Sequence, residues 1–399
     1  MSNSKLSPKE IRLLLSLAAI NFTHIMDFMI MMPMGDQLMK KLSINPQQFS
    51  LLVASYTIAA GVASFTGTFF VDRFDRKKVL LTCYSGFILG TAVCGLAPDY
   101  HFLLAARIMT GLLGGIIGSQ VLSIVGDLIS PENRGKATGF VMTGFSAASV
   151  LGVPVGLWSA SQYGWESPFF GIAVMGFLVF WTAFYELPPV RKHLDSPENH
   201  SRSLHFLVEL LSIKKHRIAL LFTILVGFSH FTMIPFLSPY MIANVGFKES
   251  QLSYIYMIGG ALTLFTGPYI GKMADQYGTV KVFSFLVVLA FIPQIAITNL
   301  PPVPVWVALF FTSLFFIFSG GRFVPSQSLT IGSVQSQYRG GFMSLNSSVM
   351  QLASGLAAFL AGMVVDKNAD GQLVHYEYLG YSTVIFSVLT IFAARRIRN

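Results

Sequence analysis

The chain has 399 residues, of which 53% are hydrophobic and only 11% are charged. Because soluble domains carry about 25% charged residues, this composition excludes a large soluble domain and indicates a protein that lies almost entirely in a membrane. The net charge of +9 does not indicate nucleic-acid binding, since Lys and Arg are concentrated in alternate loops.

Twelve segments of the sequence are long and apolar enough to cross a membrane, a length of about 20 residues. The polar connector 188–216 separates them into two sets of six. We therefore predict an all-α membrane protein with an N-terminal six-helix bundle (1–187), a cytoplasmic linker carrying a short surface helix (188–216), and a C-terminal six-helix bundle (217–399). The predicted spans 1 to 12 cover approximately 11–36, 47–71, 78–97, 101–129, 135–160, 166–187, 217–245, 249–271, 280–299, 303–331, 340–365 and 378–394.

The distribution of basic residues predicts the orientation of these spans. Of the 27 Lys and Arg, two (Arg107 and Arg322) lie well inside spans, and four lie in the loops on one side: Lys40, Lys41, Lys248 and Lys367. The remaining 21 lie on the other side, which the positive-inside rule assigns to the cytoplasm. Both termini and the linker are thus expected to be cytoplasmic. The polar N-terminus runs into a span too long for a signal-peptide core, so no cleavage is expected.

Span 1 contains an isolated carboxylate, Asp27, which we predict as the proton-coupling residue. A carboxylate in hydrocarbon costs several kcal/mol unless it has a partner, water or a proton. Thr23 and His24 precede Asp27 by four and three residues and share its helix face. In span 4, Arg107 is the other predicted coupling residue, because a guanidinium keeps its proton and can tune a nearby acid. The alternative is a permanent structural pair of Asp27 with Arg107 or His24.

The loop between spans 2 and 3 is rich in charge, and we predict that it forms part of a latch on the cytoplasmic face. Asp127, at the inner end of span 4, is a candidate partner for Arg73. The alternative is simple positive-inside anchoring. The predicted gate or latch residues are Asp72, Arg73, Arg76, Asp127, Arg134 and Asp275.

Span 5 carries Gly144 and, eight residues later, the sequence Gly152-Val-Pro154-Val-Gly156. Glycines allow a neighbouring helix to approach closely, and a proline removes a backbone hydrogen bond and bends the helix. We predict a gating contact at these residues. The alternative is ordinary small-residue packing.

The second half of the chain repeats the first. A shift of 203 residues aligns Asp72 with Asp275 and Asp27 with His230. Repeats of this kind usually enclose a site near the membrane midplane. We predict a substrate cavity lined by His24, His230, Arg322, Ser347 and Gln351. The alternatives are hydrogen-bonding between helices for the neutral residues, and a snorkelling position for Arg322.

Several of these motifs resemble those of the major facilitator superfamily. The loop after span 2 is similar to the family's Gly-x-x-x-Asp-Arg-x-Gly-Arg-Lys motif, with Thr68 and Asp75 at the glycine positions. The sequence from Arg107 to Gly111 resembles its Arg-x-x-Gln-Gly motif. The span 5 sequence resembles the antiporter motif of the drug:proton antiporter families, and the stretch continuing to Trp165 is similar to sugar and purine efflux permeases. The resemblance implies alternating access, export against protons, and function as a monomer.

We therefore predict a multi-pass transporter of the cell (inner) membrane that exports a small organic solute in exchange for protons. Its predicted partners are the solute, protons and the lipid bilayer, with no nucleic acid, cofactor, metal or catalytic set. The alternatives are a uniporter or a lipid- or lysolipid-handling flippase of the same fold, and a receptor that binds without transporting.

Overall fold

The computed structural model of this chain describes residues 7–130, 133–191, 194, 204–335 and 338–398. A long helix lies at each of the twelve predicted positions, which confirms the all-α prediction. Spans 1 to 12 comprise Pro8–Ile30, Pro46–Gly67, Arg76–Gly95, Tyr100–Leu128, Arg134–Tyr163, Ser167–Glu186, Lys214–Val245, Glu249–Tyr277, Thr279–Thr298, Val305–Gly332, Arg339–Val364 and Tyr376–Arg398.

Eleven of the helices in the described part of the chain combine the length and the apolarity needed to cross a membrane. The remaining span, span 8, is long enough at 29 residues. It is less apolar because Gly, Thr, Tyr and Pro replace aliphatic residues along it. An even number of crossings places both chain ends on one side of the bundle, which we call the terminal side. The opposite side is the far side.

Four spans depart from regular α-helix. Span 1 ends at Ile30, earlier than predicted, and a turn containing Pro33 leads into the separate short helix Gly35–Lys41. Spans 5, 7 and 10 each contain one π-helical turn, at Ala148–Gly152, Met241–Val245 and Phe316–Gly320 respectively. Such turns inside α-helices are frequent at functional sites.

The two halves of the chain meet along two seams. In the first, span 2 packs against span 11 along its whole length: Gly61 faces Leu352, Gly362 faces Ser50, and Thr68 hydrogen-bonds Ser344 at the terminal side with 3.0 Å between their hydroxyl oxygens. In the second, span 5 packs against span 8 through its far-side half and middle.

The buried apolar residues differ between the two sides of the membrane. On the far side, one continuous cluster includes residues from both halves, from Met26 to Leu379. On the terminal side the clusters are separate: the largest two comprise residues 13–190 of the first half and residues 210–397 of the second. Phe65 of span 2 is the one described first-half residue that packs, partly buried, against the second-half cluster. The halves are therefore joined on the far side and largely separate on the terminal side.

The linker contains the predicted short helix, observed at Leu204–Ser212. Leu210 is fully buried, and Glu209 accepts a hydrogen bond from Tyr338 at the start of span 11, so this helix is docked on the C-terminal half. A two-stranded antiparallel hairpin, β1 (Asp366–Lys367) and β2 (Leu373–Val374), connects spans 11 and 12 on the far side.

Candidate functional site

Asp27 and Arg107, the two predicted coupling residues, form an ion pair inside the first half. A guanidinium nitrogen of Arg107 lies 2.7 Å from Oδ2 of Asp27, and the Thr91 hydroxyl donates to Oδ1 at 3.2 Å. The side chain of Asp27 is 0% exposed and that of Arg107 is 1% exposed. A buried carboxylate needs such partners because desolvation of its charge costs several kcal/mol. Of the two alternative partners considered for Asp27, the structure pairs it with Arg107.

Tyr56 of span 2 completes the surroundings of Arg107. The guanidinium carbon lies 4.3 Å from the centroid of the Tyr56 ring, in cation–π geometry. Span 2 approaches span 4 this closely because Gly111 and Gly115 leave no room for a side chain: a Cβ at either would collide with the backbone of Tyr56 or Ala60. The sequence alone does not single out Tyr56, since a tyrosine in an apolar span is common and its neighbours on other helices are not known from sequence.

His24 lies beside this pair without hydrogen-bonding to it. Both of its ring nitrogens are buried and have no partner among the described residues. The same holds for the hydroxyl of Tyr56, whose ring centroid is 6.5 Å from that of His24. A methyl group added at Gly114 would lie 2.6 Å from this hydroxyl and 3.1 Å from Nε2 of His24. Polar atoms without partners therefore surround the Asp27–Arg107 pair.

The glycines of span 5 hold span 1, the helix that carries Asp27. A methyl group at Gly144 would lie 2.8 Å from the backbone oxygen of Ala18, at Gly152 3.0 Å from the sulfur of Met26, and at Gly156 2.6 Å from Cδ1 of Ile30. These contacts follow one ridge on span 1, formed by Ala18, Phe22, Met26 and Ile30, which we call the span 1 ridge. Pro154 comes two residues after the π-helical turn that ends at Gly152.

An aromatic contact joins the two halves near the midplane. The ring centroids of Phe28 and Phe231 are 6.2 Å apart, and these residues are related by the same shift of 203 that relates Asp27 to His230. Phe28 also stacks on Tyr56, with 5.8 Å between ring centroids, and Phe231 contacts His230 at 5.3 Å. Side chains from the two candidate clusters therefore meet across the interface.

In the second half, Arg322 is fully buried at the turn after the π-helical segment of span 10. It donates to the hydroxyl of Ser387 and to the backbone oxygen of Ser229, both at 2.8 Å. It therefore bonds within its own half and does not reach Asp27. His230 is half-buried and stacks on Phe315 with 5.6 Å between centroids.

Ser347 and Gln351 lie on the side of span 11 turned away from lipid. The exposed apolar residues Leu356, Leu360 and Met363 mark the opposite face of this helix. Ser347 is nevertheless exposed and Gln351 is half-buried. Exposure on a face turned toward the interior indicates open space inside the bundle, next to these two side chains.

The charged residues on the terminal side are arranged differently from the prediction. Asp127 pairs with Arg76 at 3.1 Å, whereas Arg73, its predicted partner, has an exposed side chain. The reason is that Arg73 lies in a short 3₁₀ turn, while Arg76 begins the span 3 helix beside span 4. Arg134 donates to the backbone oxygen of Ile129 at 3.1 Å. Asp275 is exposed, and the backbone of Asp72 belongs to the 3₁₀ turn.

Asp75 has a structural role on this side that its position in the sequence did not indicate. It caps span 3 by accepting from the N–H of Lys77 at 3.0 Å, and it also accepts from the N–H of Val190 at 3.1 Å and from Nε of Arg191 at 2.8 Å. Burial raises the pKa of this carboxyl, but the three hydrogen bonds outweigh burial, so its pKa lies below the ordinary value. Asp75 thus ties the start of span 3 to the segment after span 6.

Comparisons with known proteins agree with this architecture. The family model described as Major Facilitator Superfamily matches residues 17–358 and, again, 219–398. The chain is 24% identical over 361 residues to the uncharacterized MFS-type transporter YbcL of Bacillus subtilis, covering 90% of each protein. It is 23% identical over 347 residues to the putative transporter AraJ of Escherichia coli, covering 84% of this chain and 82% of AraJ.

Solved structures resemble the fold over nearly the whole chain. A bacterial homolog of the human lysosomal transporter Spinster, in an inward-facing and occupied conformation, matches with a TM-score of 0.79 at 16% identity, covering 99% of this chain and 98% of that one. A D-xylose–proton symporter matches with a TM-score of 0.77 at 17% identity, covering 97% and 96%. Since the family model covers most of its length, this chain belongs to the Major Facilitator Superfamily and is a multi-pass membrane transporter, not an enzyme.

Proposed function

We propose that this transporter exports a small organic solute from the cytoplasm in exchange for protons, with Asp27 as the proton carrier. The observation that carries the proposal is the buried ion pair between Asp27 and Arg107, in which the acid is 0% exposed. Asp27 is well placed for this role because, in the part of the chain that the structure describes, the hydrogen bonds that stabilise its charged form come from Arg107 and Thr91.

A proton on Asp27 would change the energetics of the whole cluster. It would remove the negative charge that offsets Arg107, and a guanidinium does not lose its proton in compensation. An unpaired buried charge costs about 3–5 kcal/mol. Protonation of Asp27 would therefore destabilise the observed packing by about 3–5 kcal/mol. A movement of spans 1 and 4, the helices that carry the two residues, would relieve this cost.

The division of the apolar core supports alternating access. A shared core on the far side together with separate cores on the terminal side is the arrangement expected of a transporter open toward the terminal side. Under the positive-inside assignment that side is the cytoplasm. We propose that residues 1–187 rock against residues 217–399, with both termini cytoplasmic and the linker spanning the two bundles.

The remaining predicted residues have roles in this cycle. His24, His230, Arg322, Ser347 and Gln351 are proposed to line or border the path of the solute, and the protein is proposed to work as a monomer. The proposed gate is the contact of Gly144, Gly152, Pro154 and Gly156 with the span 1 ridge, supported by the close approach at all three glycines. The direction of export rests on the resemblance of this motif to that of antiporters.

Charged residues on the terminal side are proposed to form the cytoplasmic latch. The Arg76–Asp127 pair is central to it, with Asp72, Arg73, Arg134 and Asp275 around it. Both members lie in the first half, on spans 3 and 4, with side chains that are 11% and 23% exposed. A shift of span 3 relative to span 4 would therefore break this pair, as the opening of a latch requires.

A proton-release assay with purified protein tests the coupling role. The protein is placed in weakly buffered detergent with a pH-sensitive dye, and sugars, nucleosides, cationic and neutral drugs and lysolipids are added in turn. We expect one class to release protons from the wild type and not from Asp27→Asn. The control is Asp36→Asn, which removes another buried aspartate, one that pairs with the largely exposed Lys40 at 2.6 Å.

The possible outcomes separate the hypotheses. Proton release that survives in Asp27→Asn contradicts the assignment of the proton to this residue. Saturable binding of a compound without any proton release contradicts antiport, and is the behaviour expected of a uniporter or flippase.

A further inference from the structure

We infer that the seam between spans 5 and 8 is a lateral portal through which a single-chain amphiphile, such as a lysolipid, enters the central cavity from the terminal-side leaflet. This inference rests on the proposed function, because it names the substrate class and the entry route for the same transport cycle. The two seams that join the halves differ in how far along the helices they are closed.

The seam between spans 2 and 11 is closed on both sides of the membrane. Gly355 lies where a methyl group would be 2.6 Å from the side chains of Thr57 and Ile58. At the terminal side, the hydroxyls of Thr68 and Ser344 remain in hydrogen-bonding contact at 3.0 Å. A molecule in the bilayer has no entry between these two helices.

The seam between spans 5 and 8 is closed only to its middle. A methyl group at Gly260 would lie 3.0 Å from side-chain atoms of both Ser149 and Val150. Four and seven residues further along the same face of span 8 are Leu264 and Gly267. Leu264 is 44% exposed, and among the described residues no atom comes within 4 Å of a methyl group placed at Gly267.

Span 5 shows the same loss of contact on its facing side. Seven and ten residues before Ser149 on the same helix face are Met142 and Gly139. Met142 is 43% exposed, and a methyl group at Gly139 would also meet no described atom within 4 Å. Two glycines therefore border the gap from opposite sides, at the level where the halves have separate cores.

The sequence supplies a cause for this divergence. Pro268 follows Gly267 inside span 8 and cannot donate the backbone hydrogen bond of a regular helix. Span 5 has its own irregular turn at Ala148–Gly152, which includes the residues that face Gly260 of span 8. Proline and π-helical turns are the usual causes of bends in helices. Bends at these positions account for the divergence of spans 5 and 8 toward the terminal side.

The lining of the gap fits an amphiphile better than a water-soluble solute. Its rim is apolar, with Met142, Phe145 and Leu264 all exposed. The interior beyond it is polar, since Ser347 and Gln351 are accessible on the face of span 11 turned away from lipid. In a bound lysolipid, the head group would contact the polar interior and the single acyl chain would contact the apolar rim between spans 5 and 8. A water-soluble solute would have no apolar part to contact this rim.

A photo-crosslinking experiment tests the portal. The full-length protein is reconstituted in vesicles of phosphatidylethanolamine and phosphatidylglycerol with a lysophospholipid that carries a diazirine in its acyl chain. We expect labelling of spans 5 and 8 that excess unlabelled lysophospholipid competes away. The variants Gly139→Trp and Gly267→Trp should reduce this labelling several-fold, because an indole fills the gap. The matched control is Gly171→Trp in span 6, where a side chain also meets no described atom within 4 Å, and it should leave the labelling unchanged.

Labelling of the seam that unlabelled lysophospholipid does not compete away would show contact with bulk lipid only, and would overturn the portal. Unchanged labelling in both seam variants would overturn it as well. The result is independent of proton coupling, because the experiment measures entry. Saturable labelling of the wild type together with an absence of proton release would refute the antiport proposal and leave the portal standing.

Discussion

Replacing Asp27 with asparagine should destabilise the folded protein by about 3–5 kcal/mol, the cost of leaving one partner of a buried ion pair unpaired. The structure places this substitution at the upper end of that range. Arg107 is 1% exposed and its Nε has no described partner even in the native pair. Asparagine can still accept one hydrogen bond, but it carries no negative charge to offset that of Arg107.

The reciprocal substitution should have a different effect. Arg107→Met leaves Asp27 buried without its cation, but an isolated carboxylate can take up a proton and become neutral. Its penalty should therefore shrink as the pH falls, whereas that of Asp27→Asn should not. The double variant carries no buried charge at this site, so it should recover at least about 2 kcal/mol relative to the sum of the single variants.

Unfolding by SDS in mixed micelles, followed by tryptophan fluorescence, measures these differences. The control is Asp36→Asn, in which the freed partner Lys40 is 60% exposed, so we expect a smaller loss. Additive effects of the two single substitutions would refute the reasoning, because they would show that Asp27 and Arg107 do not depend on each other in the membrane.

Three further predictions concern packing and pH. Gly144→Ala should lower both stability and transport more than Gly152→Ala, since the added methyl meets rigid backbone at 2.8 Å in the first case and a flexible methionine side chain at 3.0 Å in the second; equal thermal midpoints would contradict this. Gly362→Ala should push span 11 away from Ser50 and raise far-side access, measured as faster labelling, by a membrane-impermeant maleimide, of a cysteine introduced in the far-side half of span 2; unchanged labelling would show that this contact does not restrict far-side access. Asp75→Asn should destabilise the protein by about 1 kcal/mol at neutral pH through loss of a helix cap. Because the pKa of Asp75 is lowered by folding, its contribution is present above the unfolded value of about 4 and is lost as pH falls through the lower folded value. The gap in thermal midpoint between wild type and variant should therefore close in acid, and a constant gap from pH 7 to 3 would count against it.

The pairing of Asp27 with Arg107 could be predicted because a buried charge has few permissible neighbours. A membrane span admits a carboxylate only with a partner, and the first half offers two basic residues well inside spans, Arg107 and His24. The same reasoning could not find the partners of Arg322. They are a serine hydroxyl 65 residues away and a backbone oxygen 93 residues away, and the sequence contains many groups of both kinds.

The partner of Asp127 on the terminal side could not be predicted either, but for a different reason. Arg73 and Arg76 are three residues apart, and either could reach Asp127 from an ideal helix. The choice depends on whether the chain at residues 71–73 is a 3₁₀ turn or part of span 3, a difference of a few residues at a helix boundary. Helix ends are the least predictable feature of a sequence. The capping role of Asp75 could not be predicted for the same reason, since it follows from the position of Asp75 as the N-cap of span 3.

Span 1 connects the proposed coupling residue to span 5 and to the second half of the chain. Asp27 faces Arg107 inside the first half, the span 1 ridge contacts the glycines of span 5, and Phe28 contacts Phe231 of the second half. These contacts occupy three faces of one helix within a few turns. Because a helix is stiff over this length, a shift of span 1 that follows protonation of Asp27 must disturb the span 5 contact and the interface together. A regular helix with three occupied faces is thus sufficient to link one proton to span 5 and to the second half of the chain, and no separate relay of residues is required.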